Sequence, residues 1–321
     1  MNTILSLTRP QLADSVLDLI GATPMVTLQR VAPEGGAEVV VKMESLNPGG
    51  SVKDRIARSM IEDAECGGAL LPGDVIVEPT SGNTGVGLAL VAAVKGYRLV
   101  LTMPEDMSHE RRRLLERFGA EVVLTPAIEG MTGAVFAAEE LASEDGYFMP
   151  QQFQNLSNPE IHRRTTAQEI WSGLEGREMG DGERLHAFVT GVGTGGTITG
   201  VGEVLRDRQP GLSVTAVEPE RSPVLQGGRF SVHAIQGIGA SFVPGVLNRE
   251  VYDEVIGVSD RDAEQMMLRL TREEGILCGI SSGANVYAAN IVAKRLGPDC
   301  RVVTTICDTG ERYLSMPLSD S

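Results

Sequence analysis

An α/β chain with mostly parallel sheets is the fold class that this sequence predicts, on three observations. Apolar runs rich in Val, Ile and Leu alternate with helical stretches along nearly the whole chain. Those runs are continuous, with no polar–apolar alternation, as befits strands covered on both faces. Glycine-rich turns close two of the runs and open the helices that follow. The 321 residues suffice for one large or two ordinary domains with real cores.

Taken in order, residues 37–42 form a valine-rich strand, and a glycine turn then leads into a helix over 53–66. Val75-Ile-Val-Glu78 is a strand, followed by a helix over 83–95. That helix holds the longest apolar stretch, Leu88 to Val94, well below the ~20 residues that span a bilayer. Strands at 98–103 and 121–124 are separated by a helix at 108–118, and helices follow at 131–143 and 158–172. The polar, glycine-rich zone from 174 to 183 reads as a surface loop. Strands at 185–190, 213–218 and 301–306 are interleaved with helices at 196–208, 260–274 and 282–296.

One side chain in this series is out of place. Ser51 is a good N-cap and Asp54, three residues on, completes a box-like cap. Lys53 then falls in the first helical turn, where the macrodipole disfavours a cation by a few tenths to about 1 kcal/mol. The same field favours the neutral amine, a nucleophile that can form a Schiff base. A solvated surface lysine is the competing account.

Two turns weigh against that account. Glu78-Pro-Thr80-Ser81-Gly82-Asn83-Thr84-Gly85 and Thr190-Gly191-Val-Gly193-Thr194-Gly195-Gly196-Thr197 each end a strand and open a helix. Backbone N–H groups at such a mouth bind carboxylate or phosphate. A cofactor with an aldehyde and a phosphate, taking a substrate with a carboxylate, needs one amine and two such cradles.

These segments resemble the fold-type II pyridoxal-phosphate enzymes, and within them the cysteine synthase (O-acetylserine sulfhydrylase) family. The resemblance rests on Asn47-Pro-Gly-Gly-Ser-Val-Lys-Asp-Arg55, Pro79-Thr-Ser-Gly-Asn-Thr-Gly85, Gln151-Gln-Phe153 and Gly191-Val-Gly-Thr-Gly-Gly-Thr197. It continues through Gln236-Gly-Ile-Gly239, Gly279-Ile-Ser-Ser-Gly283 and Gly310-Glu-Arg-Tyr-Leu314, in family order from about residue 17 to 314. The resemblance implies two α/β domains, residues 45–153 and residues 1–44 with 154–321, and pyridoxal 5'-phosphate in the cleft between them. It implies that Lys53 tethers the cofactor and takes the substrate α-proton. Gly193, Thr194, Gly195, Gly196 and Thr197 hold the phosphate, Asn83 the ring hydroxyl oxygen and Ser281 the pyridine nitrogen. Thr80, Ser81, Gly82, Asn83 and Thr84 take the substrate carboxylate, with Gln152 beside it. Met131 and Phe153 are entrance or core residues, and 236–239 flanks the site. The implied reaction makes L-cysteine and acetate from O-acetyl-L-serine and sulfide. A homodimer, and the C-terminal tail of serine acetyltransferase as a partner, follow from the same resemblance.

Several alternatives stay open on the residues alone. Cystathionine β-synthase and O-phosphoserine sulfhydrylase share the core motifs. Gly191, Gly193 and Gly196 also fit G-x-G-x-x-G, with Glu218 ending the next strand where a ribose would bind, which suits a nicotinamide oxidoreductase. A cap on the following helix is the competing account of Ser281 or Ser282. Bulk properties exclude more. A net charge of −15 argues against nucleic acid and anionic membranes as partners. Four scattered cysteines form neither a disulfide framework nor a C-x-x-C pair, and no signal-peptide pattern opens the chain, so a cytoplasmic enzyme is expected. The four dispersed histidines have no metal-site spacing and read as solvated or capping residues.

Overall fold

The computed structural model describes residues 8–80, 82–107 and 109–314. Its strands, in chain order, are β1 (Met25–Thr27), β2 (Glu38–Met43), β3 (Val75–Pro79), β4 (Arg98–Pro104) and β5 (Glu121–Thr125). They continue with β6 (Tyr147–Phe148), β7 (Ala187–Gly191), β8 (Ser213–Pro219), β9 (Glu254–Val258) and β10 (Arg301–Ile306). The described residues divide into two compact units: 8–9, 21–46 and 159–314 in the first, 10–20 and 47–158 in the second. Residues 10–20 thus group with the second unit, where Leu17 joins the core.

The first unit holds a six-stranded sheet in the order β1-β2-β10-β7-β8-β9. Only the β1–β2 pair is antiparallel. Successive residues of one strand point to opposite faces, and both faces here are buried. Val39 and Val41 enter one apolar cluster while Val40 enters another. Ala187 and Val189 side with the former and Phe188 with the latter. That double burial is why the strands read as unbroken apolar runs. The second unit repeats the design with a parallel sheet ordered β5-β4-β3-β6. Leu99, Leu101 and Met103 pack on one side of β4, and Val100 on the other.

Helices Lys53–Gly67 and Asn83–Lys95 of the second unit pack closely, and a glycine sets their distance. A Cβ on Gly87 would stand 2.9 Å from the Ala57 Cβ and 3.0 Å from the Lys53 carbonyl oxygen. The helix expected over 158–172 is less regular than its sequence. It runs as Ser157–Ile161, a π-type turn over His162–Thr166, then Ala167–Gly173. Such π insertions are uncommon and cluster at functional sites.

Candidate active site

In the second unit, Lys53 opens its helix and is half-buried. The cap differs from the expected box. Val52, without a side-chain bond, occupies the capping position, yet the Ser51 Oγ still accepts the Lys53 N–H at 3.2 Å. Asp54 turns back further than Ser51 and accepts the Gly49 N–H at 2.5 Å. Glycine is required at 49, since a Cβ there would lie 2.5 Å from the Asp54 carboxylate. The glycine turn and the helix start therefore form one rigid corner.

The second cradle opens helix Asn83–Lys95, whose capping residue Gly82 has no side chain to satisfy the first N–H groups. Thr80 and Thr84 are buried, and Gly82 donates its N–H to the Thr80 Oγ1 at 3.2 Å. Ser81 lies outside the described residues. Gln152 comes to the same place from 68 residues away. Its Oε1 accepts the Thr84 hydroxyl at 2.6 Å, and the side chain is buried. Met131 is 42% exposed, so it is not a core residue.

Next to this cluster lies a carboxylate that no sequence motif marks. Glu78, at the end of β3, is 1% exposed and accepts N–H bonds from Gln151 at 2.9 Å and Gln152 at 3.1 Å. Burial pushes its carboxyl up from 4.5 to about 7, against the two backbone donors. The folded value lies above the unfolded one. The Glu78 contribution to stability is therefore complete below about pH 4.5 and is lost as pH rises through about 7. At 1.36 kcal/mol per pKa step, the loss is about 3 kcal/mol. Denaturant unfolding of the wild type and Glu78→Gln, compared from pH 4.5 to 8, should show the gap shifting by that order in favour of the variant. A pH-independent gap would mean that Glu78 does not titrate in this window.

In the first unit, β7 leads through the glycine turn into helix Gly196–Arg208, which also starts without a side-chain cap. Gly195 has φ of +85°, a conformation that favours glycine. Gly193 faces the loop 236–239 so closely that a Cβ would sit 2.3 Å from the Gly237 carbonyl oxygen. A Cβ on Gly237 would in turn lie 3.7 Å from the Ser281 Oγ. The turn, the loop and Ser281 thus converge. Ser281 is 4% exposed, and its hydroxyl has no hydrogen-bond partner among the described residues. A hydroxyl on a buried serine with no partner among the described residues, beside a glycine-lined helix mouth without a side-chain cap, fits a ligand carrying a ring nitrogen and a phosphate.

Two neighbours of this cradle belong to no sequence motif. His162, expected to be solvated or capping, is 1% exposed. Its Nδ1 bonds the Thr166 Oγ1 at 2.9 Å, and its Nε2 reaches the Thr197 Oγ1 at 3.3 Å. Asn285 accepts the Gly191 N–H at 2.7 Å and donates to the Thr305 carbonyl oxygen at 3.0 Å, anchoring the turn to β10. The π-type turn that places His162 has no sequence signature. Asn285, inside an otherwise apolar helix stretch, was a visible signal. Ser282, the other candidate cap, accepts the Cys307 N–H at 2.9 Å. Glu218 is buried and already accepts the Leu225 N–H at 2.7 Å and the Gln226 amide at 2.9 Å. Its carboxylate is thereby committed to its own turn, which weakens the ribose-binding alternative.

Residues 16–308 match the family model described as pyridoxal-phosphate dependent enzyme. The chain belongs to that family. Members of the pyridoxal-phosphate dependent enzyme family similar to this chain include a cysteine synthase of Staphylococcus aureus strain N315. It is 55% identical over 95% of this chain and 96% of its own length. The structure resembles O-ureido-L-serine synthase, with a TM-score of 0.91 and 48% identity, covering 96% of this chain and 95% of that one. It also resembles a cysteine synthase from Entamoeba histolytica (TM-score 0.90, 38% identity, 98% and 94% covered). A hydrogen sulfide-producing enzyme from Fusobacterium nucleatum gives a TM-score of 0.89 at 42% identity, with 95% and 99% covered. Family membership makes the chain pyridoxal-phosphate dependent, in accord with the fit of the cradle and Ser281. Among the described residues no cluster of His, Cys, Asp or Glu suits a metal, and no helix is long and apolar enough to cross a membrane.

Proposed function

We propose that this chain is a cysteine synthase, converting O-acetyl-L-serine and sulfide into L-cysteine and acetate. The observation that carries the reading is the unpartnered hydroxyl of buried Ser281 beside the glycine turn, in a chain 55% identical to a cysteine synthase over 95% of its length. Pyridoxal phosphate, when bound, withdraws electrons from the substrate amino group and makes the α-proton acidic. Lys53 would tether the cofactor; once the substrate amino group has taken its place on the cofactor, the freed Nζ would take the proton from the substrate Cα and later return it. The Cβ–O bond to acetate breaks, and a Cβ–S bond to sulfide forms in its place. Gly193, Thr194, Gly195, Gly196 and Thr197 hold the phosphate, and Asn83 the ring hydroxyl oxygen. Thr80, Ser81, Gly82, Asn83, Thr84 and Gln152 hold the substrate carboxylate. The Ser281 hydroxyl donates to a neutral ring nitrogen. It does not force protonation as an aspartate would, and this favours loss of a β-substituent over transamination.

The test supplies O-acetylserine, O-phosphoserine and serine, each with sulfide and with homocysteine, and measures the product. Cysteine from O-acetylserine and sulfide at the highest kcat/KM is expected. Cystathionine from serine as the main product would replace the reading with that of a cystathionine β-synthase. Ser281→Ala should keep the cofactor but bind it about fivefold more weakly, as one neutral hydrogen bond of about 1 kcal/mol is lost. Unchanged affinity, read by titrating the apoprotein with pyridoxal phosphate, would reduce Ser281 to a helix residue. We further propose a cytoplasmic homodimer that binds the C-terminal tail of serine acetyltransferase through the Thr80–Thr84 N–H groups. Peptides ending in isoleucine should then compete with O-acetylserine, and amidated peptides should not.

A further inference from the structure

The geometry points to Glu78 as a positioning residue for the substrate carboxylate, acting through Gln151 and Gln152. The inference rests on the reading above, in which Gln152 and the Thr80–Thr84 turn hold that carboxylate. Glu78 is too deeply buried to touch a ligand itself. Its two oxygens instead accept the N–H groups of consecutive residues, Gln151 and Gln152.

Gln151 needs such support. Its φ is +56°, a left-handed conformation that residues with side chains seldom adopt. Among the described residues only Ala22 shares that property without being glycine. The turn fixes the Gln152 backbone, which is held from the other side by the Asn158 amide on its carbonyl oxygen at 2.8 Å. The Thr84 hydroxyl occupies Gln152 Oε1. The remaining side-chain group, the Nε2 amide, has no acceptor among the described residues, although Gln152 is only 6% exposed. An accessible donor with no acceptor among the described residues, on a largely buried side chain beside an uncapped helix mouth, is a place for an anion. Glu78 governs both parts. It continues through Pro79 into the turn, and through its oxygens it sets Gln152.

Glu78→Gln tests this in the holoenzyme. The amide keeps the size but sets an N–H group against one of the two backbone donors. The KM for O-acetylserine should rise about tenfold, with kcat and the KM for sulfide within about twofold of wild type. In the apoprotein, amide hydrogen exchange of Gln151 and Gln152 should quicken about tenfold, while β4 stays protected. On a Gln152→Ala background, Glu78→Gln should raise the KM no further, since both act through one group. An unchanged KM overturns the proposal, even if exchange quickens, because the turn would then be held without serving the carboxylate. Full additivity with Gln152→Ala overturns it as well. If Glu78→Gln does not fold, Glu78→Asp gives the same comparison, retaining the charge but not the reach. Wild-type protein that makes no cysteine from O-acetylserine overturns the function and leaves this separate: the variant-to-wild-type ratio of O-acetylserine affinity, by calorimetry, then decides it.

Discussion

Lys53→Ala is expected to fold as well as the wild type and to lose turnover by about 10³-fold or more. In the proposed mechanism one amine is both tether and proton acceptor, and a general base alone accounts for about 10²–10⁴-fold. Stability should hold, because the substitution takes a cation out of a first helical turn, a change worth at most about 1 kcal/mol. Borohydride should bleach and label the wild type at Lys53 and leave the variant unlabelled. Unimpaired cysteine formation by purified Lys53→Ala protein would dismiss the assignment.

Gly193→Ala is the second large effect. The added Cβ would stand 2.3 Å from the Gly237 carbonyl oxygen, and backbone on both sides must move apart. Forcing an atom into a packed site costs about 1–3 kcal/mol. The loop that moves also lies beside Ser281, so cofactor affinity should fall about tenfold or more alongside the thermal midpoint. Gly211→Ala is the control, because a Cβ there meets nothing within 4 Å. If the two variants melt and bind cofactor alike, the glycine turn is not a close-fitting cradle.

The sequence reveals most where several signals agree. Helices Asn83–Lys95, Gly196–Arg208 and Asp260–Glu274 match their expected limits. The long strands buried on both faces were equally readable. Three strands were not. β1 is three residues long and β6 only two, too short for any periodicity. β9 is interrupted by Gly257, its one exposed position, and has two half-buried residues, as expected for an edge strand. In the site, glycine turns and the odd lysine announce themselves through backbone requirements. Glu78 and His162 do not, because their roles depend on partners 73 and 35 residues away. The grouping of residues 10–20 with the second unit likewise rests on Leu17 burial, which no local pattern encodes.

Gly87 couples two things that a redesign would want to adjust separately. With only its hydrogen between the backbone at Lys53 and the helix begun by Asn83, there is no side chain to resize as a spacer. Lys53 and the start of the helix at Asn83 keep a fixed separation, like two teeth of one key. Under the proposed function, substrates with a longer reach between carboxylate and leaving group must be admitted by changing residues beyond these two helix starts, because shifting either start drags the other with it.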